Sequence, residues 1–355
     1  MYIPSAGLEI NPILLLSIGV TVGVCSGFFG FGGGFMMTPA LNMFGLPMPF
    51  AIGTDLTQMA GSSAISTMKH RKLGHVDFRL GILMVLGTVT GVEVGKHLIM
   101  YMEGLGNVDL VVRYVYIVLL TGLGLYMFNE ARKSADSVST LTSSRNAPQN
   151  DSSWLVQKIQ SLNLPPFIAL PVSGISRISI WIPIGIGFVT GVLAGLLGVG
   201  GGFIRMPALI YLLGVPTVVA IGTDLFEIII SGAYGCFTYA MVGRVDILVA
   251  ILTLLGSSAG VQIGATATHY VRGAYIRHCF AITIILAGVS VAVKQMAHLL
   301  DLAWLNTAAI YMLLGVAGGM ALLITVMFVR AKSFAKKDDL DIRHIEQAIM
   351  QGRRI

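Results

Sequence analysis

Two glycine clusters, Gly30-Phe-Gly-Gly-Gly-Phe35 and Gly198-Val-Gly-Gly-Gly-Phe203, each lie a few residues ahead of a proline, Pro39 and Pro207. Consecutive glycines break a helix and leave amide N–H groups free at the start of the next one. Such amides, added to the helix dipole, hold an anion without a charged side chain. Gly32, Gly33, Gly34, Gly200, Gly201 and Gly202 are therefore candidate anion ligands. The alternative reading is close helix packing through small residues. A nucleotide site is excluded, because neither cluster has the last glycine of a dinucleotide fingerprint or the Lys-Ser/Thr of a phosphate loop, and no strand precedes either.

Acids follow each cluster. Asp55 and Asp224 occupy matching places in Gly-Thr-Asp-Leu, a few residues into otherwise apolar segments. An ionisable group is costly there and points to function, here proton coupling, although Asp also caps helix N-termini well. Thr54 and Thr223 fit either role, as ligands or caps. Arg205 stands where the first cluster is followed by Met37, and Glu227 follows Asp224 by three residues where Gln58 follows Asp55. Asp224 and Glu227 thus share a helix face. Arg205 can bind an anion bidentately, or pair with these acids as a structural neutraliser.

Other polar clusters offer less chemistry. Glu93 and Lys96 have the spacing of a local salt bridge. His70, Arg71, His75 and Asp77 crowd one loop, and no second cluster supplies further ligands, so no metal is expected. Cys25, Cys236 and Cys279 are scattered through apolar segments without ligand-like or paired spacing. No His-Glu-x-x-His helix is present, so the chain does not read as an enzyme, and no cofactor motif is seen.

The elements that position these groups follow from composition. Of 355 residues 55% are apolar and 11% charged, less than half the charge of a soluble domain. Nineteen of the forty charged residues fall in 129–179 and 330–355. Apolar runs recur at 12–29, 51–68, 78–100, 111–128, 180–197, 219–241, 246–268, 279–293 and 305–329. Most approach the roughly 20 residues that cross a bilayer. The expectation is an all-α, multi-pass protein of the cytoplasmic membrane, its partners the bilayer and a small anion. The net charge of +6 sits in loops and a tail, where it sets topology rather than binding nucleic acid. No oligomeric state follows from it.

An internal repeat organises the chain. Gly27 to Leu41 matches Gly195 to Leu209, Ala51-Ile-Gly-Thr-Asp-Leu56 recurs as Ala220 to Leu225, and Gly74-His-Val-Asp77 as Gly243-Arg-Val-Asp246. Gly87, Gly91 and Gly95 answer to Gly256, Gly260 and Gly264, and Pro4 and Gly7 to Pro171 and Gly174. The expected organisation is a first transmembrane repeat (1–128), a polar cytoplasmic linker (129–169), a second repeat (170–293), an extra transmembrane helix (305–329) and a basic cytoplasmic tail (330–355). Within the linker, Trp154 to Leu162 can form a short amphipathic helix on the membrane surface.

Between cluster and Gly-Thr-Asp segment each repeat holds a short element, Phe35 to Phe44 and Phe203 to Leu213, long enough to reach about half-way through the hydrocarbon. Each is read as a half-helix, giving about five membrane elements per repeat. The loop 69–79 carries Lys69, Arg71, Lys72 and Arg79, while 101–113 has Arg113 against Glu103 and Asp109. In the second repeat the bias is reversed, with Arg244 alone in 243–246 and Arg272 and Arg277 in 267–278. Opposite bias in matching loops favours inverted repeats. Four parallel crossings per repeat is the alternative.

The doubled Gly-x-Gly-Gly-Gly-x-x-x-x-Pro turn, Gly30 to Pro39 and Gly198 to Pro207, with the Gly-Thr-Asp-Leu and Gly-x-Val-Asp segments downstream, resembles the TauE/SafE family of sulfite and organosulfonate exporters. The likeness covers most of 10–128 and 178–293. It implies a secondary transporter of small oxyanions, often sulfur-containing. The chain departs from the family in its linker of about forty residues, its extra terminal helix, and Asp rather than the common Ser at positions 55 and 224. A passive anion channel, or a carrier of another small carboxylate or anion, is the competing reading, and flux that saturates and responds to a pH gradient separates carrier from channel. Topology is testable from the sequence alone. Single cysteines at Ser143 and Ser333 should show the same accessibility to an impermeant reagent in intact cells, because both lie in basic flanks of spans; opposite labelling refutes the helix count.

Overall fold

The computed structural model describes residues 2–3, 8–106, 108–140, 154–161, 164–300 and 302–352. After a hairpin of β1 (Tyr2–Ile3) and β2 (Leu8–Glu9), the first half contains α1 (Pro12–Phe29), α2 (Gly34–Met43), α3 (Met48–Lys72), α4 (Phe78–Gly104) and α5 (Val108–Thr140). The short α6 (Trp154–Gln160) and a hairpin of β3 (Phe167–Leu170) and β4 (Ile175–Ser179) lead into the second half, α7 (Trp181–Leu197), α8 (Gly202–Tyr211), α9 (Thr217–Met241), α10 (Ile247–Tyr270) and α11 (Gly273–Leu300). Helix α12 (Ala303–Gly352) stands outside the repeat. Among the described residues the fold is thus all-α apart from two small antiparallel hairpins, one before each half, which the apolar pattern does not reveal because each strand is only two to five residues long.

Local chemistry explains the boundaries. In α1, Asn11 Oδ1 accepts from Ile13 N–H at 3.0 Å, Pro12 opens the helix, and Gly30 closes it in a left-handed conformation. The Gly-x-Val-Asp segments are turns ending in N-caps. Asp77 accepts from Arg79 and Leu80 N–H at the start of α4, and Asp246 from Val249 N–H at the start of α10.

Among the described residues seven helices, α1, α4, α5, α9, α10, α11 and α12, are long and apolar enough to cross a membrane. Helix α7 is apolar and 17 residues long, about 26 Å. Helix α3 is long enough but polar inside, burying Thr54, Asp55, Gln58, Ser62, Ser63, Ser66 and Thr67. It runs through the centre of the molecule against α9 and α10.

The halves are interlocked. The first helix of each packs on the fourth of the other, α1 on α10 and α7 on α4. Glycines line both seams: Gly19, Gly23 and Gly27 meet Gly256, Ser257 and Ala265, and Gly87, Gly91 and Gly95 meet Phe188, Val192 and Leu196. This is the small-residue contact by which backbones approach closely inside a bilayer. The order of these contacts makes each seam parallel. Equivalent central helices instead meet in antiparallel order, Gly53, Leu56 and Ala60 of α3 against Tyr239, Gly235 and Gly232 of α9. Helices α5 and α11 do the same, with Gly124 beside Ile285, Leu120 beside Gly288, and Arg113 Nη1 donating to Gln295 Oε1 at 3.4 Å.

These directions gather the chain at two ends. Helix α2 finishes where α3 and α5 start, with Asn42 Nδ2 donating to Asp109 Oδ1 at 3.2 Å and Arg244 pairing with Glu103 at 2.7 Å. At the other end, α8 finishes beside Tyr126 of α5, Ser173 Oγ donates to Asp77 Oδ2 at 2.7 Å, and Tyr270 meets Phe328 of α12. The basic loop after α3 lies at this α8 end. Helix α6, the expected amphipathic segment, also docks there: Val156 is buried against Gly214, and Gln160 Nε2 donates to the Leu213 carbonyl at 3.0 Å. Residues 141–153 and 162–163 of the linker lie outside the described residues.

The seams can be tested by adding one methyl. Gly91→Ala places a Cβ 2.7 Å from Val192 N, whereas the same change at Gly315 on α12 meets nothing within 4 Å. Gly91→Ala should cost about 2 kcal/mol and lower the melting temperature in detergent, and Gly315→Ala should not lower it.

Candidate functional site

Both half-helices begin at the expected place. Helices α2 and α8 start at Gly34 and Gly202, each preceded by a left-handed glycine, Gly33 (φ 110°) and Gly201 (φ 77°), and neither has a side-chain cap. The amides of the first turn are therefore left to whatever lies in front of them. What lies there is mostly the other turn. A Cβ on Gly202 would sit 2.7 Å from Phe31 Cα, and one on Gly34 would strike Val199. Gly32 and Gly200 both face Met59 and Ile228, from α3 and α9. The two clusters thus meet back to back in the core, so broken helix and close packing are both true of the same residues.

The acids are inside their helices rather than at caps. Helices α3 and α9 begin after Pro47 and Pro216, seven residues before Asp55 and Asp224, so capping does not explain either carboxyl. Both are fully buried, as are Arg205 and Glu227. Arg205 Nη1 donates to Asp224 Oδ1 at 2.8 Å and to Glu227 Oε2, and its Nε donates to Thr190 Oγ1 at 3.2 Å. Ser231 Oγ donates to Glu227 Oε2 at 3.2 Å. One guanidinium therefore serves two carboxyls at the head of α8, a buried ion triad that holds only while every member keeps a partner.

Some polar capacity in this triad is unused. Arg205 Nη2, Asp224 Oδ2 and Glu227 Oε1 are buried without hydrogen-bond partners. A Cβ on Gly201 would lie 2.8 Å from Arg205 Nη2, and one on Gly202 equally close to Asp224 Oδ2. The carboxylate and the guanidinium thus both press on the second glycine turn.

In the first half the same positions are built differently. Asp55 Oδ2 accepts from Thr38 Oγ at 2.6 Å, and Thr38 also reaches the Gly198 carbonyl at 3.3 Å. Among the described residues Asp55 has no cation within ion-pair distance, and its Oδ1 is unpartnered. Gln58 Nε2 donates to Ser257 Oγ at 2.7 Å and to Ser62 Oγ at 3.2 Å. The polar partner of the aspartate comes from Thr38 in one half-helix and from Arg205 in the other, where the counterparts are Met206 and Met37. Thr38, Thr190, Ser231 and Ser257 escape a sequence reading, because small hydroxyls are common on buried helix faces. The only signal is Met-Met-Thr-Pro against Ile-Arg-Met-Pro.

Thr54 and Thr223 hold the halves together. Thr54 Oγ accepts from Asp246 N–H at 2.9 Å and Thr223 Oγ from Asp77 N–H at 3.0 Å, each reaching the helix N-cap of the opposite half. Elsewhere, Lys96 pairs with Glu93 at 2.5 Å as the spacing suggests, and Tyr234 donates to the other Glu93 oxygen at 3.0 Å. Among the described residues no group of three or more potential metal ligands occurs.

A multi-pass helical protein, built as two interlocked halves with broken helices meeting at a buried ion cluster, belongs by architecture with membrane transporters. Residues 15–291 match the family described as Sulfite exporter TauE/SafE, and the chain belongs to that family. Among curated relatives it is 26% identical to the probable membrane transporter protein YunE of Bacillus subtilis, over 78% of this chain and 95% of that one. It is 24% identical to a probable membrane transporter protein of Xylella fastidiosa, over 81% and 97%. No solved structure matches. The chain is a membrane transporter.

The two aspartate environments give a stability test. Arg205→Met alone leaves two buried carboxyls unpaired and should cost about 3–5 kcal/mol. Arg205→Met with Met206→Thr and Glu227→Gln rebuilds the first-half arrangement and should recover most of that loss in thermal unfolding.

Proposed function

We propose that the chain is a secondary transporter of small oxyanions, among them sulfur-containing anions such as sulfite or organosulfonates, coupled to protons. The carrying observation is Arg205 between Asp224 and Glu227 at the uncapped start of α8. An anion arriving there has the Gly200, Gly201 and Gly202 amides and the unpartnered Arg205 Nη2 as donors, with Gly32, Gly33 and Gly34 opposite. Thr54 and Thr223 accept from backbone, which leaves each hydroxyl proton to donate to the anion.

Coupling follows from charge counting. One guanidinium and two ionised carboxyls sum to −1, and an added anion makes the cluster more negative still. A carboxyl displaced from Arg205 by the anion has lost its counter-ion, and in a dry interior it must take a proton or leave. Anion and proton therefore move together, with Asp224 or Glu227 on this side and Asp55 as the matching carboxyl of the other half. The antiparallel contacts of α3 with α9 and of α5 with α11 support inverted repeats, the arrangement that presents such a site alternately to the two faces. Lys69, Arg71, Lys72 and Arg277 support a cytoplasmic α8 end.

Proteoliposomes loaded with sulfite, thiosulfate, sulfate, a sulfonate or a carboxylate test this. Flux of at least one of them should saturate and speed up under an imposed pH gradient. Arg205→Lys, which lacks the planar fork, should raise KM about tenfold, and Asp224→Asn should keep substrate binding but lose the gradient dependence. Non-saturating flux indifferent to pH marks a passive channel instead.

A further inference from the structure

At the α2 end, one cleft is lined by Pro39 and Asn42 of α2, Arg113 and Tyr116 of α5, and Lys294 of α11. It is open on one side, and its enclosed part has about 10 Å³ of room, enough for one water or a single oxygen. Two cations on different helices converge here, against one nearby acid, Asp109, whose Oδ1 is already bonded to Asn42. Arg113 spends Nη1 on Gln295 at 3.4 Å, while its Nε and the neighbouring Gln295 Nε2 are buried without partners. Lys294 makes no hydrogen bond among the described residues. An unspent Arg113 donor and two cations facing a single acid leave positive charge at this cleft only partly compensated, which is what an anion completes.

The cleft also leads somewhere. Pro39 adjoins Thr38, which bonds Asp55 and the Gly198 carbonyl. Tyr116 in its floor donates to the Leu197 carbonyl, just before the second glycine cluster, at 2.8 Å. Tyr116 thus links the cleft to the residue next to Gly198. The pair of cations is not repeated at the other end: the mutual contacts of Gly124 with Ile284 and Ile285 and of Gly288 with Leu120 and Thr121 put Arg277 at the position matching Arg113 and Glu130 at that matching Lys294, so an arginine stands at both ends but a second cation only here.

We propose that Arg113 and Lys294 form a second anion site, a docking point for one oxyanion at the α2 end, from which it passes to the glycine turns. The proposal rests on the anion-transporter reading and commits to the free oxyanion rather than a lipid phosphate, because the enclosed room takes one oxygen and its floor points to the turns.

The test uses the full chain in proteoliposomes, with whichever of sulfite, thiosulfate, sulfate or methanesulfonate the wild type carries. Arg113→Gln and Lys294→Gln should each raise KM about tenfold and the double variant more, with kcat within about twofold of wild type. Arg113→Lys should recover part of the loss. A double variant with wild-type KM overturns the docking site while leaving the transport reading intact. A wild type that carries none of the four anions overturns both. Repeating the series in purely zwitterionic lipid distinguishes the occupant: a wild-type KM that falls sharply when anionic lipid is removed shows a headgroup in the cleft and overturns the assignment.

Discussion

Glycine backbones meeting helix backbones across the two halves set the distances on which the rest of the structure depends. In a bilayer there is little hydrophobic gain from bringing helices together, so their spacing is decided by how closely backbones can approach. The stripes Gly19-Gly23-Gly27 and Gly87-Gly91-Gly95 let the first helix of one half lie directly on the fourth helix of the other. Since both seams use the same rule, the two broken ends of α1 and α7 arrive at the same depth. The turns at Gly30–Gly34 and Gly198–Gly202 are then forced into contact, and non-helical backbone that lipid could not tolerate is covered by its own counterpart.

On this nearly symmetric frame the charges are not symmetric. The scaffold repeats Asp55 as Asp224 and surrounds each with the matching half-helix, yet one carboxyl is held by Thr38 and the other by Arg205. Exchanging a hydroxyl for a guanidinium required a second acid, and Glu227 supplies it where the first half keeps Gln58. Even the supporting hydroxyls correspond: Ser62 serves Gln58 as Ser231 serves Glu227. The two halves thus share geometry and differ in charge.

Much of this frame was legible in the residues. The apolar run 12–29 is helix α1 itself, and the half-helices fall within a residue or two of their expected positions, because glycine and proline punctuate both ends. Other boundaries moved for identifiable reasons. Pro47 and Pro49 start α3 at Met48 rather than Ala51, which puts Asp55 two turns inside the helix and removes the capping explanation. Helix α11 begins at Gly273, ahead of the run at 279, because Arg277 and His278 interrupt the hydropathy without interrupting the helix. The crossed partnering of first and fourth helices was not legible, since a repeat in sequence does not say which half supplies the neighbour. For the same reason the reach of Thr54 to Asp246 and of Thr223 to Asp77 was visible only once the halves were assembled.

The ion cluster carries a consequence for how an anion arrives. A guanidinium buried in a bilayer must be compensated when the site is empty, and Asp224 and Glu227 do this. Compensation removes the net positive field that would draw an anion from solution, since the carboxyls pair directly with the guanidinium. In the proposed mechanism the deep site gains an anion only by exchange, through displacement of a carboxyl that then takes up a proton. Exchange needs the anion already at close range, where contact rather than long-range attraction decides. Capture and exchange therefore make opposite demands, one for uncompensated cations open to water and the other for compensated ones in a dry core. On the two proposed assignments, Arg113 and Lys294 beside an open cleft and Arg205 behind the glycine turns meet these demands separately, with capture at one site and exchange at the other.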